Sequence, residues 1–319
     1  MAPIAPPMQR LDSGAPVTAE LRGGIVALGN FDGFHLGHQA VVGRAVALAK
    51  AEGRPAIVAT FDPHPARLFH PDAAPFRLTT LDQRQRLFAA AGADAMLVFH
   101  FDAHMAAMDA EAFVHMLVAD VGAAGVVTGQ DFTFGRGRSG NVERLGAIGA
   151  AQGLRAEAVA PVLDNGEIVS SSRIRRALEA GDCAAATHLL TRPFAIEGKV
   201  QHGNKLGRTI GFPTANVDMG KYLRPAYGVY AARGRLPDGR VLDGAANLGI
   251  RPTIQPPQEL LEPYFFDFSE NLYDQVIEVE LIEYLRPEAK FDNLDALVVQ
   301  MNADCDRARQ ILAGTPRVA

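Results

Sequence analysis

The sequence predicts an α/β domain with a doubly wound parallel sheet over residues 1–190, followed by a mainly β domain over residues 191–319. Three observations lead to this prediction. The chain of 319 residues is long enough for two ordinary domains. Its first part alternates short apolar runs with segments of helical periodicity, which is typical of parallel βα units. After about Leu190 the pattern changes to the alternation expected of antiparallel strands.

In the first domain, strands are expected where apolar runs are short, and helices where apolar residues recur at helical spacing. The expected strands are Gly24–Leu28, Ala56–Phe61, Ala95–Phe101 and Gly125–Thr128. The expected helices are Gln39–Ala51, a segment that opens with a Thr80 and Gln83 capping box, and Ala110–Val121. Ligands bind beyond the carboxyl ends of the strands in such sheets, so the loops after these strands are the informative ones.

In the second domain, strand-like segments are separated by turns that contain glycine and proline. These segments are Phe194–His202, Gly228–Leu236, Arg240–Leu248, Tyr264–Phe268 and Val276–Glu283. A long helix from about Leu294 to Leu312 follows them. One face of this helix is expected to carry Leu294, Leu297, Val298, Met301, Cys305, Ala308 and Leu312. A run of strands followed by a helix predicts an antiparallel barrel with a C-terminal helix.

Composition excludes several classes of protein. The net charge of -5 argues against a non-specific nucleic-acid binder, which usually carries a basic face. Cys183 and Cys305 form no metal-like cluster, and we expect reduced thiols. Met1–Gln9 lacks the long apolar core of a signal peptide, and no run approaches the roughly 18 apolar residues of a membrane span. We therefore expect a cytoplasmic monomer or weak homo-oligomer, without nucleic-acid or membrane partners.

The strongest motif of the first domain is GNFDGFHLGH at Gly29–His38, between an expected strand and an expected helix. Backbone amides and the helix dipole favour an anion at such a place. His35 and His38 are three residues apart, so both can lie on one side of the first helical turn. Two imidazoles beside these amides suit a triphosphate whose charge shifts during a reaction. A glycine-rich turn with two incidental histidines is one alternative. A zinc site is another, although no nearby cysteine or third histidine completes it.

This string resembles the (H/T)xGH signature of the nucleotidyltransferase superfamily. Its longer form is similar to the FMN adenylyltransferase module of bacterial bifunctional riboflavin kinase/FAD synthetases. Further motifs of that module follow in order, namely TFDPHP at Thr60–Pro65, VVTGQDFTFGRGRSGN at Val126–Asn141 and SSSRIR at Ser170–Arg175. The resemblance covers nearly the whole first half of the chain. Ser172 stands where the family usually has threonine, and Asp131 where many relatives have asparagine.

The resemblance implies attack of the FMN phosphate on the α-phosphorus of ATP, which forms FAD and expels pyrophosphate without a protein nucleophile. On this basis the catalytic residues are His35, His38 and Arg175. The implied ATP-binding residues are Gly29, Asn30, Phe31, Gly37, Ser171 and Ser172. The implied flavin-binding residues are His64, Pro65, Asp131, Phe132 and Phe134. Without the resemblance, the serines indicate a helix N-cap and the two phenylalanines indicate ordinary core.

The densest feature of the second domain is GKVQHGNKLGRTIGFPTAN at Gly198–Asn216. Its glycines give an exposed backbone that can wrap a phosphate, although no Gly-Lys-Ser/Thr closes it as in a Walker A loop. Pro213 constrains Thr214 and Asn216, whose oxygens are hard ligands of the kind that Mg²⁺ accepts beside ATP phosphates. The residues alone also fit a turn-rich β connection.

This segment resembles the signature of riboflavin kinase, in which a glycine-rich stretch precedes GFPTAN. Supporting segments follow in the family's order at Tyr227–Gly234, Asn247–Ile254, Leu261–Gln275 and Leu285–Leu297. Asp274 replaces a glycine of the family pattern. The resemblance implies ATP binding by Gly203, Gly207, Arg208, Gly211 and Pro213, and Mg²⁺ coordination by Thr214 and Asn216.

The same resemblance implies Glu262 as the general base that deprotonates the riboflavin 5′-hydroxyl as it attacks the γ-phosphate of ATP. A solvated carboxylate on an edge strand is the alternative, because the adjacent Pro263 fits an edge position. Arg286 and Glu288 serve either the flavin pocket or the structure, and the sequence does not separate these roles.

Taken together, the motifs imply a bifunctional enzyme of flavin cofactor synthesis. Its substrates and products would be ATP, riboflavin, FMN and FAD, with Mg²⁺ accompanying ATP. Two other classes stay open on the sequence. One is an enzyme of the superfamily that adenylylates a different acceptor and has a degenerate second domain. The other is a flavin-binding or regulatory protein without catalysis.

Overall fold

The computed structural model describes residues 8–202, 211–251 and 258–317. The chain divides into two compact units. The first comprises Met1–Ala73 and Thr80–Ser170, and the second comprises Ala74–Thr79 and Ser171–Ala319. No helix in the described ranges is both long enough and apolar enough to cross a membrane.

The first unit contains a six-stranded sheet whose paired strands all run parallel, in the order β1-β4-β3-β2-β5-β6. Its strands are β1 Gln9–Asp12, β2 Ile25–Leu28, β3 Ala56–Asp62, β4 Ala95–His100, β5 Gly125–Gly129 and β6 Arg155–Val159. Its helices are α1 Leu36–Glu52, α2 Pro65–Phe69, α3 Leu81–Ala90, α4 Ala103–Ala107, α5 Ala110–Ala119 and α6 Val142–Ala150. A short hairpin of β7 Leu163–Asp164 and β8 Glu167–Ile168 follows. The predicted parallel α/β domain is confirmed.

The four inner strands are almost wholly buried because both faces of the sheet are covered. On one face, Phe113 and Leu117 of α5 and Leu145 of α6 pack into a core with the strands. On the other face, Val42 of α1 and Phe88 of α3 belong to a second core. Helices on both faces explain why the strands are continuous apolar runs rather than alternating ones. The predicted Thr80 and Gln83 capping box is confirmed, since both of its hydrogen bonds are present.

The strand order reverses at β2. From β2 the chain proceeds to β3 and β4 on one side, then crosses to β5 and β6 on the other. The carboxyl ends of β2 and β5 therefore border the crevice where doubly wound sheets bind their ligands. The Gly29–His38 turn leaves the sheet at this crevice.

The second unit is a closed antiparallel barrel with the strand order β10-β13-β12-β11-β14-β9. Its strands are β9 Phe194–Gln201, β10 Asn216–Asp218, β11 Gly228–Arg235, β12 Val241–Arg251, β13 Gln258–Phe265 and β14 Val276–Pro287. Helices α7 Ser171–Glu179 and α8 Cys183–Leu190 precede the barrel, and α9 Leu294–Gly314 follows it. The predicted antiparallel barrel with a C-terminal helix is confirmed.

Two local predictions for this unit are wrong. The strand expected at Tyr264–Phe268 is in fact Gln258–Phe265, because the aromatic run continues past the strand to Asp267, which has a left-handed φ of 56°. Leu294 does not belong to the buried face of α9, since it is 56% exposed. The fully buried positions of α9 begin at Asp304 and continue with Ala308 and Leu312.

Candidate active sites

The turn after β2 follows a strained path. Phe31, Gly33 and Phe34 have φ values of 49°, 88° and 43°. A left-handed conformation costs a residue with a side chain about 1–2 kcal/mol. Both phenylalanines are buried, and each packs edge-on against Phe88, with ring centroids 5.8 Å and 5.1 Å away. This packing offsets the strain and holds the turn in one conformation.

Buried hydrogen bonds, here called the buried clamp, fix Asn30, the second residue after β2. The carbonyl oxygen of Asn30 accepts hydrogen bonds from Thr60 Oγ1 at 2.8 Å and from the Arg84 guanidinium at 3.0 Å. The same guanidinium nitrogen also lies 2.9 Å from Thr60 Oγ1. Arg84 is only 2% exposed, so these bonds are shielded from water. Arg84 was not predicted from the sequence, where its one signal is a charged residue between Gln83 and Phe88 on the inner side of α3.

The two histidines of the turn come together at the start of α1. His35 is the N-cap residue, and its ring stacks on that of His38 with centroids 3.6 Å apart and an interplanar angle of 21°. The edge of Phe31 meets His38 at 5.3 Å. A Cβ on Gly37 would lie 3.2 Å from His35 Cε1, so glycine gives this ring its room.

The first turn of α1 is electrostatically suited to an anion. It contains no acidic residue, and the side chain of His35 does not cap it. The N-terminal amides and the positive end of the helix dipole therefore act beside the two imidazoles. Asn30 Oδ1 is a buried acceptor that has no hydrogen-bond partner among the described residues. The helix amides and the two imidazoles fit a bound triphosphate, whereas the Asn30 oxygen, which only accepts, fits a donor group.

The zinc alternative lacks a ligand set. Across the described ranges, no group of three or more His, Cys, Asp or Glu side chains could hold a metal ion. Stacked imidazole rings also differ from the converging lone pairs that a tetrahedral site requires.

His64 and Pro65 follow β3 at the same edge of the sheet. His64 is the N-cap of α2, and its Nδ1 accepts a hydrogen bond from the Ala66 N–H at 3.2 Å. This bond keeps the proton of a neutral ring on Nε2. Pro65 is the first residue of α2, a position that suits its fixed φ.

The three flavin-side candidates after β5 differ in burial. Phe134 is only 6% exposed, exchanges two backbone hydrogen bonds with Gly140, and packs on Phe113 at 5.1 Å. The ring of Phe132 is half-buried and stacks on Phe134 at 6.0 Å. Asp131 is exposed. The core interpretation therefore fits Phe134, while Phe132 and Asp131 remain accessible to a ligand.

Ser171, Ser172 and Arg175 lie on α7, in the second compact unit. Ser171 is the first residue of the helix and Ser172 is exposed. Arg175 Nε donates to the carbonyl oxygen of Phe76 at 2.8 Å, and its guanidinium lies 5.2 Å from the centre of the Phe76 ring. The first turn of α7 contains no acidic residue, which leaves its dipole uncompensated for an anion.

Glu262 lies inside the wall of the barrel rather than at an edge. Its strand β13 is hydrogen-bonded to β12 on one side and to β10 on the other, so the edge-strand alternative is wrong. The Ala215 N–H donates to the carbonyl of Pro263 at 2.9 Å. Pro263 has no N–H to return, which explains why the ladder with β10 is short.

The register of β10 against β13 brings an amide side chain next to Glu262. Val217 pairs with Leu261, so Asn216 lies opposite Glu262 one step along the ladder. Thr214 precedes Asn216 by two residues, just before β10 begins. Asn216 is 5% exposed, while Thr214 and Glu262 are half-buried. A hydroxyl and an amide oxygen beside a carboxylate fit Mg²⁺, which keeps several waters and takes few protein ligands.

The remaining candidates for the kinase ATP site are partly described. Gly211 is exposed with φ 87°, and Pro213 is exposed. Phe212 between them is buried against Tyr264 at 5.2 Å, which anchors this segment to the barrel. The others lie outside the described residues: Gly203, Gly207 and Arg208.

Arg286 and Glu288 differ in their contacts. Arg286 NH2 donates to Asp304 Oδ2 at 2.7 Å, and Gln300 donates to the same carboxylate at 2.9 Å, so Arg286 ties α9 to β14. Glu288 is exposed, and its Oε1 lies 3.5 Å from Nδ2 of Asn247, the residue opposite Glu262 on β12.

The half-buried Tyr227 is hydrogen-bonded to β13, the strand of Glu262. Tyr227 donates to Glu259, whose other oxygen accepts from Arg224 Nε at 2.7 Å. Burial and this hydrogen bond raise the pKa of Tyr227 to about 12. Tyr227 therefore stays a neutral donor at physiological pH.

Comparison with known proteins finds a family model for each half of the chain. The FAD synthetase family model matches residues 17–173, and the riboflavin kinase family model matches residues 190–312. The chain is 39% identical over 290 residues to a bifunctional riboflavin kinase/FMN adenylyltransferase of Haemophilus influenzae, covering 91% of this chain and 94% of that protein. It is 37% identical over 298 residues to the protein of the same name from Escherichia coli K12, covering 93% and 95%.

A solved structure is similar along nearly the whole chain. This structure, described as a macrolide-efflux protein from Streptococcus pneumoniae, has a TM-score of 0.83 and 29% sequence identity. The match covers 96% of this chain and 99% of that one.

Proposed function

The chain belongs to the family of bifunctional riboflavin kinase/FMN adenylyltransferases, and from that premise we propose which residues carry its two reactions. It phosphorylates riboflavin to FMN with ATP, and it transfers AMP from ATP to FMN to give FAD and pyrophosphate. We assign the adenylyltransferase to residues 1–190 and the kinase to residues 191–319. The ranges of the two family models support this division.

In the adenylyltransferase, the triphosphate of ATP binds at the start of α1, where His35 and His38 stack. An oxygen of the FMN phosphate attacks the α-phosphorus, a new P–O bond forms, and the bond to pyrophosphate breaks. The imidazoles and the helix amides stabilise the charge that moves onto the leaving pyrophosphate. Support comes from the position of this turn, at the point where the strand order reverses.

The other adenylyltransferase assignments rest on the motifs and on the character of the side chains. Backbone and side chain at Gly29, Asn30, Phe31 and Gly37 shape the ATP site, and Ser171, Ser172 and Arg175 supply phosphate donors. His64, Pro65, Asp131 and Phe132 contact the flavin, and Phe134 contributes from the core by supporting the ring of Phe132.

In the kinase, Glu262 accepts the proton of the riboflavin 5′-hydroxyl as its oxygen attacks the γ-phosphorus and ADP leaves. Thr214 and Asn216 hold Mg²⁺, which neutralises phosphate charge when it is bound with ATP. Gly203, Gly207, Arg208, Gly211 and Pro213 form the loop around the phosphates. The observation that carries this assignment is the strand register, which places Asn216 opposite Glu262, with Thr214 two residues before it.

The experiment is incubation with riboflavin, ATP and Mg²⁺ followed by chromatography of the flavins. The unaltered chain is expected to form FMN and then FAD. Glu262→Gln is expected to keep only a small residual rate of riboflavin phosphorylation and to retain the conversion of FMN to FAD. His38→Ala is expected to accumulate FMN. Unchanged rates in either variant would contradict the corresponding assignment.

The proposal also covers the cellular location, the oligomeric state and the partners of the protein. We propose a cytoplasmic monomer or weak homo-oligomer that binds small molecules and neither nucleic acid nor membrane. The net charge of -5 supports this for nucleic acid. Sedimentation at several protein concentrations tests the oligomeric state.

A further inference from the structure

Asn247 is the immediate neighbour of Glu262 in the barrel wall, and the proposed mechanism gives it no role. The two residues are paired across β12 and β13. In the same ladder the Phe266 N–H donates to the Asp243 carbonyl at 2.9 Å. Hydrogen-bonded pairs recur every two residues, so Asn247 and Glu262 form such a pair, with Cα atoms about 5.5 Å apart. Their side chains therefore project from the same face.

That face is the outer wall of the barrel. Tyr264 and Ala245 are each two residues from Glu262 and Asn247 on the same strands, and they share that face. Both belong to the cluster that packs against Ala308 and Leu312 of α9. Asn247 and Glu262 continue this surface beyond the apolar cluster.

A second carboxylate reaches Asn247 from the other direction. Oε1 of Glu288 lies 3.5 Å from Nδ2 of Asn247. The Glu288 carboxylate lies against Gly249, and a Cβ added to this glycine would be 1.9 Å from the same oxygen. Glycine at this position thus makes the room that brings Glu288 to Asn247.

Resting on the proposed role of Glu262, we propose that Asn247 is a positioning residue for the kinase reaction. A primary amide has two N–H donors that diverge, whereas an ionised carboxylate only accepts. Asn247 donates one N–H to Glu288 and the other to Glu262, and so fixes the orientation in which Glu262 receives the hydroxyl proton of riboflavin. A base that is itself oriented by a third group is a recurring arrangement in enzymes.

The arrangement makes a specific kinetic prediction. Asn247→Ala is expected to lower the riboflavin kinase kcat about 10–100-fold while the KM for riboflavin changes less than about threefold, because orientation matters mainly in the transition state. Asn247→Ser keeps a hydrogen-bond donor, and its kcat is expected to lie between that of Asn247→Ala and that of the unaltered chain.

The decisive test is a double-mutant cycle with Glu262→Gln. If Asn247 acts through Glu262, Asn247→Ala lowers the residual rate less than about twofold once Glu262 is glutamine. Asn302→Ala is the matched control, since the Asn302 side chain is exposed and, within the described part of the chain, donates to the Val298 carbonyl of its own helix. The conversion of FMN to FAD by the same chain serves as an internal reference for intact protein.

Three results would overturn the inference. These are an unchanged kcat in Asn247→Ala, an equal fold-loss in both backgrounds, and a fall of kcat only in proportion to lost thermal stability. If Asn247→Ala fails to fold, Asn247→Ser decides by the same cycle. Full kinase activity in Glu262→Gln would refute the base assignment and the inference together, whereas loss in that variant with an unaffected Asn247→Ala refutes the inference alone.

Discussion

Replacing Arg84 tests whether the buried clamp on Asn30 maintains the adenylyltransferase turn. Arg84→Met keeps the apolar stem and removes the donors to the Asn30 carbonyl and to Thr60. Hydrogen bonds from a charged group contribute about 1.5–3 kcal/mol each. Both bonds come from the same guanidinium nitrogen, and Thr60 still donates to Asn30 in the variant. Counting them as one bond, we expect a loss of about 1.5–3 kcal/mol in the free energy of unfolding of the first unit.

This loss is comparable to the strain at Phe31 and Phe34, which is about 1–2 kcal/mol at each residue. Without the clamp the turn is therefore free to relax, and His35 and His38 lose their common orientation. We expect FMN adenylylation to fall at least about tenfold in kcat/KM, the equivalent of about 1.4 kcal/mol. Riboflavin phosphorylation is expected to stay unchanged.

The assay combines urea unfolding with separate measurements of the two activities. Arg86→Met, an exposed position on the same helix, is the matched control and is expected to retain both activities. The reasoning is refuted if Arg84→Met unfolds at the same urea concentration as the unaltered chain and adenylylates FMN at the same rate.

Three further predictions concern space, metal and thiol reactivity. Gly37→Ala places a Cβ 3.2 Å from the His35 ring. Steady-state kinetics are expected to show FMN adenylylation lowered several-fold and kinase activity unchanged. An unaffected rate of adenylylation would mean that the position of the His35 ring is not critical. Thr214→Ala is expected to raise the Mg²⁺ concentration needed for half-maximal kinase activity and not that for adenylylation; a Mg²⁺ titration of both reactions measures this, and an equal change in both would contradict it. Burial raises the pKa of Cys183 to about 12 and that of the half-buried Cys305 to about 11. At pH 8 a thiol reagent is therefore expected to modify Cys305 before Cys183, and both thiols are expected to react after denaturation. Peptide mass spectrometry gives the order, and modification of Cys183 first would contradict the prediction.

The elements that the sequence predicted best are those whose periodicity is set by burial. The strands Ala56–Asp62 and Gly228–Arg235 are apolar because neighbours cover them, and their limits differ from the predicted ones by one residue. The strands Gln9–Asp12 and Asn216–Asp218 were missed, because three or four residues are too few to show an alternation.

Long-range pairing explains the errors around the candidate sites. Pro263 indicated an edge strand, yet barrel closure gives its strand a neighbour on each side. Arg84 escaped notice because its partners lie 54 and 24 residues away in the chain, and no local pattern predicts a buried arginine. The neighbours of Glu262 became visible only once the register of three strands was known.

The central claim is that one chain carries two chemistries in two separate sites, and mixing two variants tests it most directly. His38→Ala and Glu262→Gln are incubated with riboflavin, ATP and Mg²⁺, first separately and then together, and the flavins are separated by chromatography. The account predicts that His38→Ala alone stops at FMN, that Glu262→Gln alone leaves nearly all riboflavin unconverted over the same period, and that the mixture forms FAD. Formation of FAD from riboflavin by either variant alone, or loss of both reactions through either single substitution, would contradict it.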